Sequence, residues 1–133
     1  MSPWLGRAIV LSAVAGLIHV LATPEHFEEW VGYGLFFVVA AAAQGVYSIA
    51  LLFNGPKRPL LITGIVGNGL IVGLYLITRT VGIPFFGPEA GEVEPVGALD
   101  VISKVVELAL IAALVAMSRE AFPSRPAAPQ AKR

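Results

Sequence analysis

Cysteine is absent from the 133 residues, which excludes disulfides, thiolate metal sites, iron–sulfur clusters and a cysteine nucleophile. Charge is scarce. Lys, Arg, Asp and Glu make up 14% of the chain, against about 25% in an average soluble domain. The formal net charge is zero, so the chain has no electrostatic footprint for nucleic acid. Only two histidines occur, with no HExxH or paired ExxH, and no GxSxG motif is present. Alternation with a period of two is missing, which argues against a membrane barrel. What remains is apolar: 56% of the residues, more than a single water-folded domain of this length can hide.

A hydrocarbon core about 30 Å thick needs roughly 20 mostly apolar residues per helix. Four stretches meet that length, at about 4–22, 31–53, 60–81 and 99–118. The expected fold is therefore an all-α membrane protein, a four-transmembrane-helix bundle over residues 1–118, followed by a disordered tail over 119–133. A competing reading of the first stretch is a secretory signal, with Arg7 ahead of an apolar run and a weak cleavage site at Val20-Leu21-Ala22.

The connections between the stretches alternate in charge. Arg7, Lys57, Arg58, Arg119, Arg125, Lys132 and Arg133 fall at one end, and Glu25, Glu28, Glu29, Glu89, Glu92 and Glu94 at the other. By the positive-inside rule both termini are expected in the cytoplasm, with residues 23–30 and 82–98 as outer loops. In the first of these loops Thr23 can cap a short helix starting at Pro24, with Phe27 and Trp30 as interfacial anchors. The second contains several prolines and Phe85-Phe86, and reads as either a lid or a passive cap.

Lipid does not drive helices together, so small residues and interhelical hydrogen bonds must do so. Small residues recur four apart at Ser12/Gly16, Ala41/Gly45 and Gly69/Gly73, the last read as intramolecular packing. Each span also carries a polar stripe: Ser12 and His19; Gln44, Tyr47 and Ser48; Asn68, Tyr75 and Arg79; Asp100, Ser103, Lys104 and Glu107. These stripes should converge inside the bundle. Gln44 and Asn68 lie at similar depth, roughly 20 and 18 Å below the outer ends of their spans. They are expected to pair in the bundle core, or else to contact a ligand.

Towards the outer end the polar residues crowd. His19, His26, Arg79, Asp100, Lys104 and Glu107 are the candidate ligand-binding set, with Arg79 or Lys104 as the partner of Glu107. His19, His26, Glu25 and Glu29 could offer nitrogen and oxygen ligands to a divalent metal. Both histidines come from one segment, which argues against bis-histidine haem ligation.

The run Ile18-His19…Thr23-Pro24-Glu25-His26-Phe27-Glu28-Glu29-Trp30, with Phe36-Phe37 and Gln44, resembles a family of small bacterial four-span membrane proteins of unassigned function. So does Thr78-Arg79-Thr80-Val81-Gly82-Ile83-Pro84, followed by Gly87-Pro88 and Glu92-Val93-Glu94-Pro95. The resemblance implies the same architecture and assigns no catalytic residue. The bundle is similar to DoxX-like membrane proteins in architecture only. The functional expectation is an outward-facing pocket for a metal ion or small polar ligand. The alternatives are an accessory subunit docked to a membrane partner or a second copy, and an enzyme using His19 or His26 as general base. Four spans without an internal repeat or a broken-helix pair argue against a transporter monomer.

Overall fold

The structure is a computed structural model that describes residues 2–80, 82 and 97–129. Among the described residues there are four α-helices: α1 (Pro3–Glu29), α2 (Val31–Asn54), α3 (Arg58–Thr80) and α4 (Ala98–Ala121). All four are long and apolar enough to cross a membrane. Their outward faces carry Val, Leu, Ile and Phe side chains, as lipid-facing surfaces require.

Helix α1 packs against α2 and α4, and α4 also packs against α3, whereas α2 and α3 barely touch. In space the order is therefore α2, α1, α4, α3, with an open seam between the two outer members. The start of α1 and the end of α4 lie at one end of the bundle, where Ser2 Oγ donates to Glu120 Oε2 at 2.8 Å. The α2–α3 turn joins them there, since the Arg58 guanidinium lies 5.9 Å from the Phe122 ring centre. That end holds the apolar core: Leu5, Ala8, Leu51, Leu61, Leu110, Leu114 and Met117.

The α1–α2 seam is built from two of the small-residue pairs. A side chain added at Gly16 would meet the Ala41 carbonyl oxygen at 3.1 Å and the Gly45 nitrogen at 3.3 Å. The close approach lets hydroxyls reach backbone across the seam: Ser12 Oγ donates to the Gln44 carbonyl at 2.7 Å, and Ser48 Oγ to the Ile9 carbonyl at 2.8 Å. The third pair behaves differently from expectation. Added side chains at Gly69 and Gly73 would meet nothing within 4 Å, so this GxxxG makes no close contact within the bundle.

A second difference lies at Pro24. The expected break at Thr23 is absent, and α1 continues to Glu29 with Pro24 inside it. Proline withholds one backbone N–H, but neighbouring side chains reinforce the turn. Thr23 Oγ1 donates to the His19 carbonyl at 2.6 Å, so it does not cap a new helix, and His26 Nδ1 lies 2.8 Å from the Ala22 carbonyl. The His26 ring stacks on Phe37 of α2 at 3.6 Å, which ties the extension to its neighbour. Trp30, in extended conformation, is then the sole link to α2. At the other terminus α4 runs on to Ala121, three residues beyond the expected end of the span. The anticipated lid or cap at 82–98 lies outside the described residues, apart from Gly82, Gly97 and Ala98.

Gly16→Leu is expected to lower stability in detergent by about 1–3 kcal/mol through overpacking of the α1–α2 seam. Gly69→Leu should leave it unchanged. Unfolding titrations with a denaturing detergent, followed by circular dichroism, compare the two.

Candidate functional site

Glu107 is the deepest charged group and is fully buried, at 0% exposure. It sits two turns into α4. Its Oε1 accepts from Gln44 Nε2 of α2 at 3.0 Å and lies 3.6 Å from His19 Nε2 of α1. Its Oε2 accepts from Lys104 Nζ, one turn earlier on α4. Gln44 Nε2 also donates to Asn68 Oδ1 of α3 at 3.2 Å, and Asn68 Nδ2 donates to the Gly64 carbonyl at 2.9 Å. The expected meeting of Gln44 and Asn68 is thus part of a larger network that gathers one polar group from each of three helices around an acid on the fourth.

Chemistry fixes the orientation of the two amides. Both neighbours of the Gln44 amide nitrogen are acceptors, so that atom must be the NH₂ group. Its carbonyl Oε1 then points elsewhere and, among the described residues, has no hydrogen-bond partner, although Gln44 is only 3% exposed. The same reasoning settles His19. Nδ1 lies 2.9 Å from the Ala15 carbonyl, which can only accept, so Nδ1 carries a proton and Nε2 faces Glu107.

Nearer the end away from the termini, the α3 and α4 ends are clamped together. Asp100 is in the first turn of α4, where the helix dipole favours a carboxylate. Its Oδ2 accepts from its own helix cap, the Gly97 N–H, at 3.1 Å and from Arg79 Nη2 of α3 at 2.9 Å. Arg79 is in the last turn of α3, where a cation is favoured. The Tyr75 ring lies 4.8 Å from the Arg79 guanidinium and 5.4 Å from Lys104 Nζ. Arg79 is therefore not the partner of Glu107. Glu107 lies roughly 10 Å deeper along α4 than Asp100, and Lys104 takes that role.

Five of the six expected ligand-binding residues, His19, His26, Arg79, Asp100 and Lys104, line one cavity of about 80 Å³, with Phe37 and Tyr75 among its aromatic walls. Glu107 is not in its lining and connects to it through His19 and Lys104. The expected metal set does not assemble. Among the described residues no group of three or more His, Asp or Glu side chains comes together to hold a metal ion. Glu25 and Glu29 are exposed, because the continuous helix turns them outward, and His26 is turned onto Phe37.

Phe37 was legible only in part. Its ring is stacked on His26 and lies 5.4 Å from His19, making it the wall between the two imidazoles. Its position seven residues before Gln44, on the same helix face, is the signal that marks it.

Glu107→Leu is expected to cost about 3–5 kcal/mol, because it leaves the Lys104 ammonium partly buried without its counter-charge. Adding Lys104→Met should recover a large part of that loss. A double-mutant cycle of unfolding in detergent measures the coupling.

Compared with known families, characterised proteins and solved structures, the chain matches none. Four apolar helices make it a membrane-protein bundle, and its polar residues alone must carry the functional argument.

Proposed function

We propose that the chain is a small multi-pass protein of the cell membrane that binds a small polar molecule without net charge in the cavity between His19, His26, Arg79 and Lys104. The observation that carries this reading is the pairing of charge among the described residues around the cavity. Arg79 is paired with Asp100, and Lys104 with Glu107. A ligand bearing a full charge would have to compete with one of these pairs in a medium of low dielectric constant. A neutral or zwitterionic molecule can instead use the polar edges while resting against Phe37 and Tyr75. The volume of about 80 Å³ suits only a few heavy atoms, since a cavity of about 150 Å³ holds benzene.

Calorimetric titration of the purified protein with glycerol, urea and glycine tests the reading. At least one should bind, and Arg79→Met should weaken it about tenfold or more, the equivalent of losing one charge-assisted hydrogen bond. No binding by any of the three, or identical binding by the variant, would return the cluster to a structural lock and favour an accessory subunit.

The basic residues Arg7, Lys57, Arg58, Arg119 and Arg125 favour a cytoplasmic position for the termini. The cavity then faces outward. A fluorescent protein fused at the C-terminus should fluoresce, and a periplasmic phosphatase fused at the same place should be inactive. The reverse pattern would invert the topology.

A further inference from the structure

His19 and Glu107 meet across the α1–α4 interface as two acceptors. The imidazole is 3% exposed and the carboxylate 0%, and His19 Nε2 lies 3.6 Å from Glu107 Oε1. That separation is too long for a hydrogen bond. In the neutral ring Nδ1 carries the hydrogen, because its neighbour at 2.9 Å is the Ala15 carbonyl. Nε2 then presents a lone pair. Oε1 presents one as well, and already accepts from Gln44 Nε2 at 3.0 Å. A hydrogen bond between Nε2 and Oε1 therefore requires one further proton. It would join α1 directly to α4. Among the described residues, the Ser2–Glu120 bond ties the same two segments only at the opposite end of the bundle.

We infer that this pair is a proton-binding site, in which His19 Nε2 takes up one proton and holds it in a hydrogen bond to Glu107 Oε1. One N–H bond forms, no bond within the protein breaks, and the charge of the site rises by one. The proton comes from water on the side of the polar cavity, whose lining includes His19. The hydrogen bonds of the acid put the proton on the ring. Oε1 accepts from Gln44 and Oε2 from the Lys104 ammonium, and both bonds are stronger to a carboxylate than to a neutral carboxyl. A proton on Nε2 keeps both and adds a third. The other groups facing the ring offer no competing position among the described residues. From α2 come Phe37, with its ring centre at 5.4 Å, and Gln44, neither of them charged. From α4, Asp100 and Lys104 border a small pocket together with His19, and each is already in an ion pair, with Arg79 and Glu107. Tyr33, Tyr75, Arg79 and His26 share the polar cavity with it, and His26 is stacked on Phe37. Uptake thus leaves Glu107 shared between two cations, Lys104 and His19. Because they are in contact, His19 and Glu107 titrate as a unit.

The full-length protein, with nitrogen-labelled histidine rings and carbon-labelled glutamate, is placed in phosphatidylcholine nanodiscs. Solid-state NMR follows it from about pH 9 to about pH 4, a range that brackets imidazole. Ring-nitrogen shifts separate bare from protonated nitrogen, and a spectrum of His26→Gln assigns the two histidines. On acidification His19 Nε2 should pass from bare to protonated in one step, while Nδ1 stays protonated throughout. The Glu107 carboxyl carbon should keep the shift of a carboxylate. The dipolar coupling between that carbon and Nε2 should grow as the two groups draw together. Glu107→Gln should move the step by about one pH unit or more, the effect of removing an opposite charge a few ångströms away. Absence of a step at Nε2, a proton appearing on the Glu107 carboxyl instead, an unchanged coupling, or a step that Glu107→Gln leaves in place would each overturn the assignment. If Glu107→Gln does not fold, the coupling in the unaltered protein decides alone. No ligand is present in this experiment, so failure of the polar cavity to bind glycerol, urea or glycine leaves its outcome untouched.

Discussion

The carboxylate of Glu107 is the constraint around which the four helices are arranged. In hydrocarbon, apolar faces gain nothing by choosing one another over lipid, so the rotation of each helix about its axis has to be set by something directional. A fully buried acid sets it. His19 from α1, Gln44 from α2 and Lys104 from its own helix surround it, and Asn68 brings in α3 through Gln44. Turning any one helix by a residue would withdraw its group and leave a charge or an amide facing lipid. The cost of the buried charge is thereby converted into a single register for the bundle.

The rest of the molecule is layered about that acid. Towards the termini lies an interdigitated core of Leu, Ala and Met side chains. At the level of the acid lie the amides and the two serine hydroxyls that cross the α1–α2 seam. Beyond it the Arg79–Asp100 pair closes the ends of α3 and α4. The layers differ in how tightly the helices approach. The glycine and serine contacts draw α1 and α2 together, while α2 and α3 are held mainly by the Tyr47 hydroxyl and the hydrogen bond from Gln44 Nε2 to Asn68 Oδ1.

Much of this was legible in the chain. Four apolar runs of spanning length, separated by charged connections, specify four helices because hydrocarbon tolerates few other backbones. The depth of Gln44 and Asn68 could be counted from the span ends, since helix rise is constant, and the two side chains meet. What could not be counted was which helices are neighbours. Spacing places Arg79 and Lys104 on suitable faces, but the choice between them as the partner of Glu107 depends on the level at which α3 and α4 end. The metal reading failed at a local step. It placed Glu25 and Glu29 beside the histidines, whereas in the continuous α1 both acids are exposed and His26 stacks on Phe37. Gly69 and Gly73 show the converse: a pairing motif lies on a face where no partner helix arrives.

An unbroken α1 is 27 residues long, or about 40 Å, whereas the hydrocarbon slab measures about 30 Å. The surplus is roughly two turns. If those turns project beyond the slab at the far end, they carry Glu25, Glu28 and Glu29 out among the lipid headgroups, where hydration of three acids costs little. The alternative, tilting the helix to shorten its vertical extent, would drag α2 along through the Gly16 contact. Membrane thickness thus becomes a mechanical input to this bundle: a thicker bilayer would draw the acidic turns towards the acyl chains, and a thinner one would lift them clear.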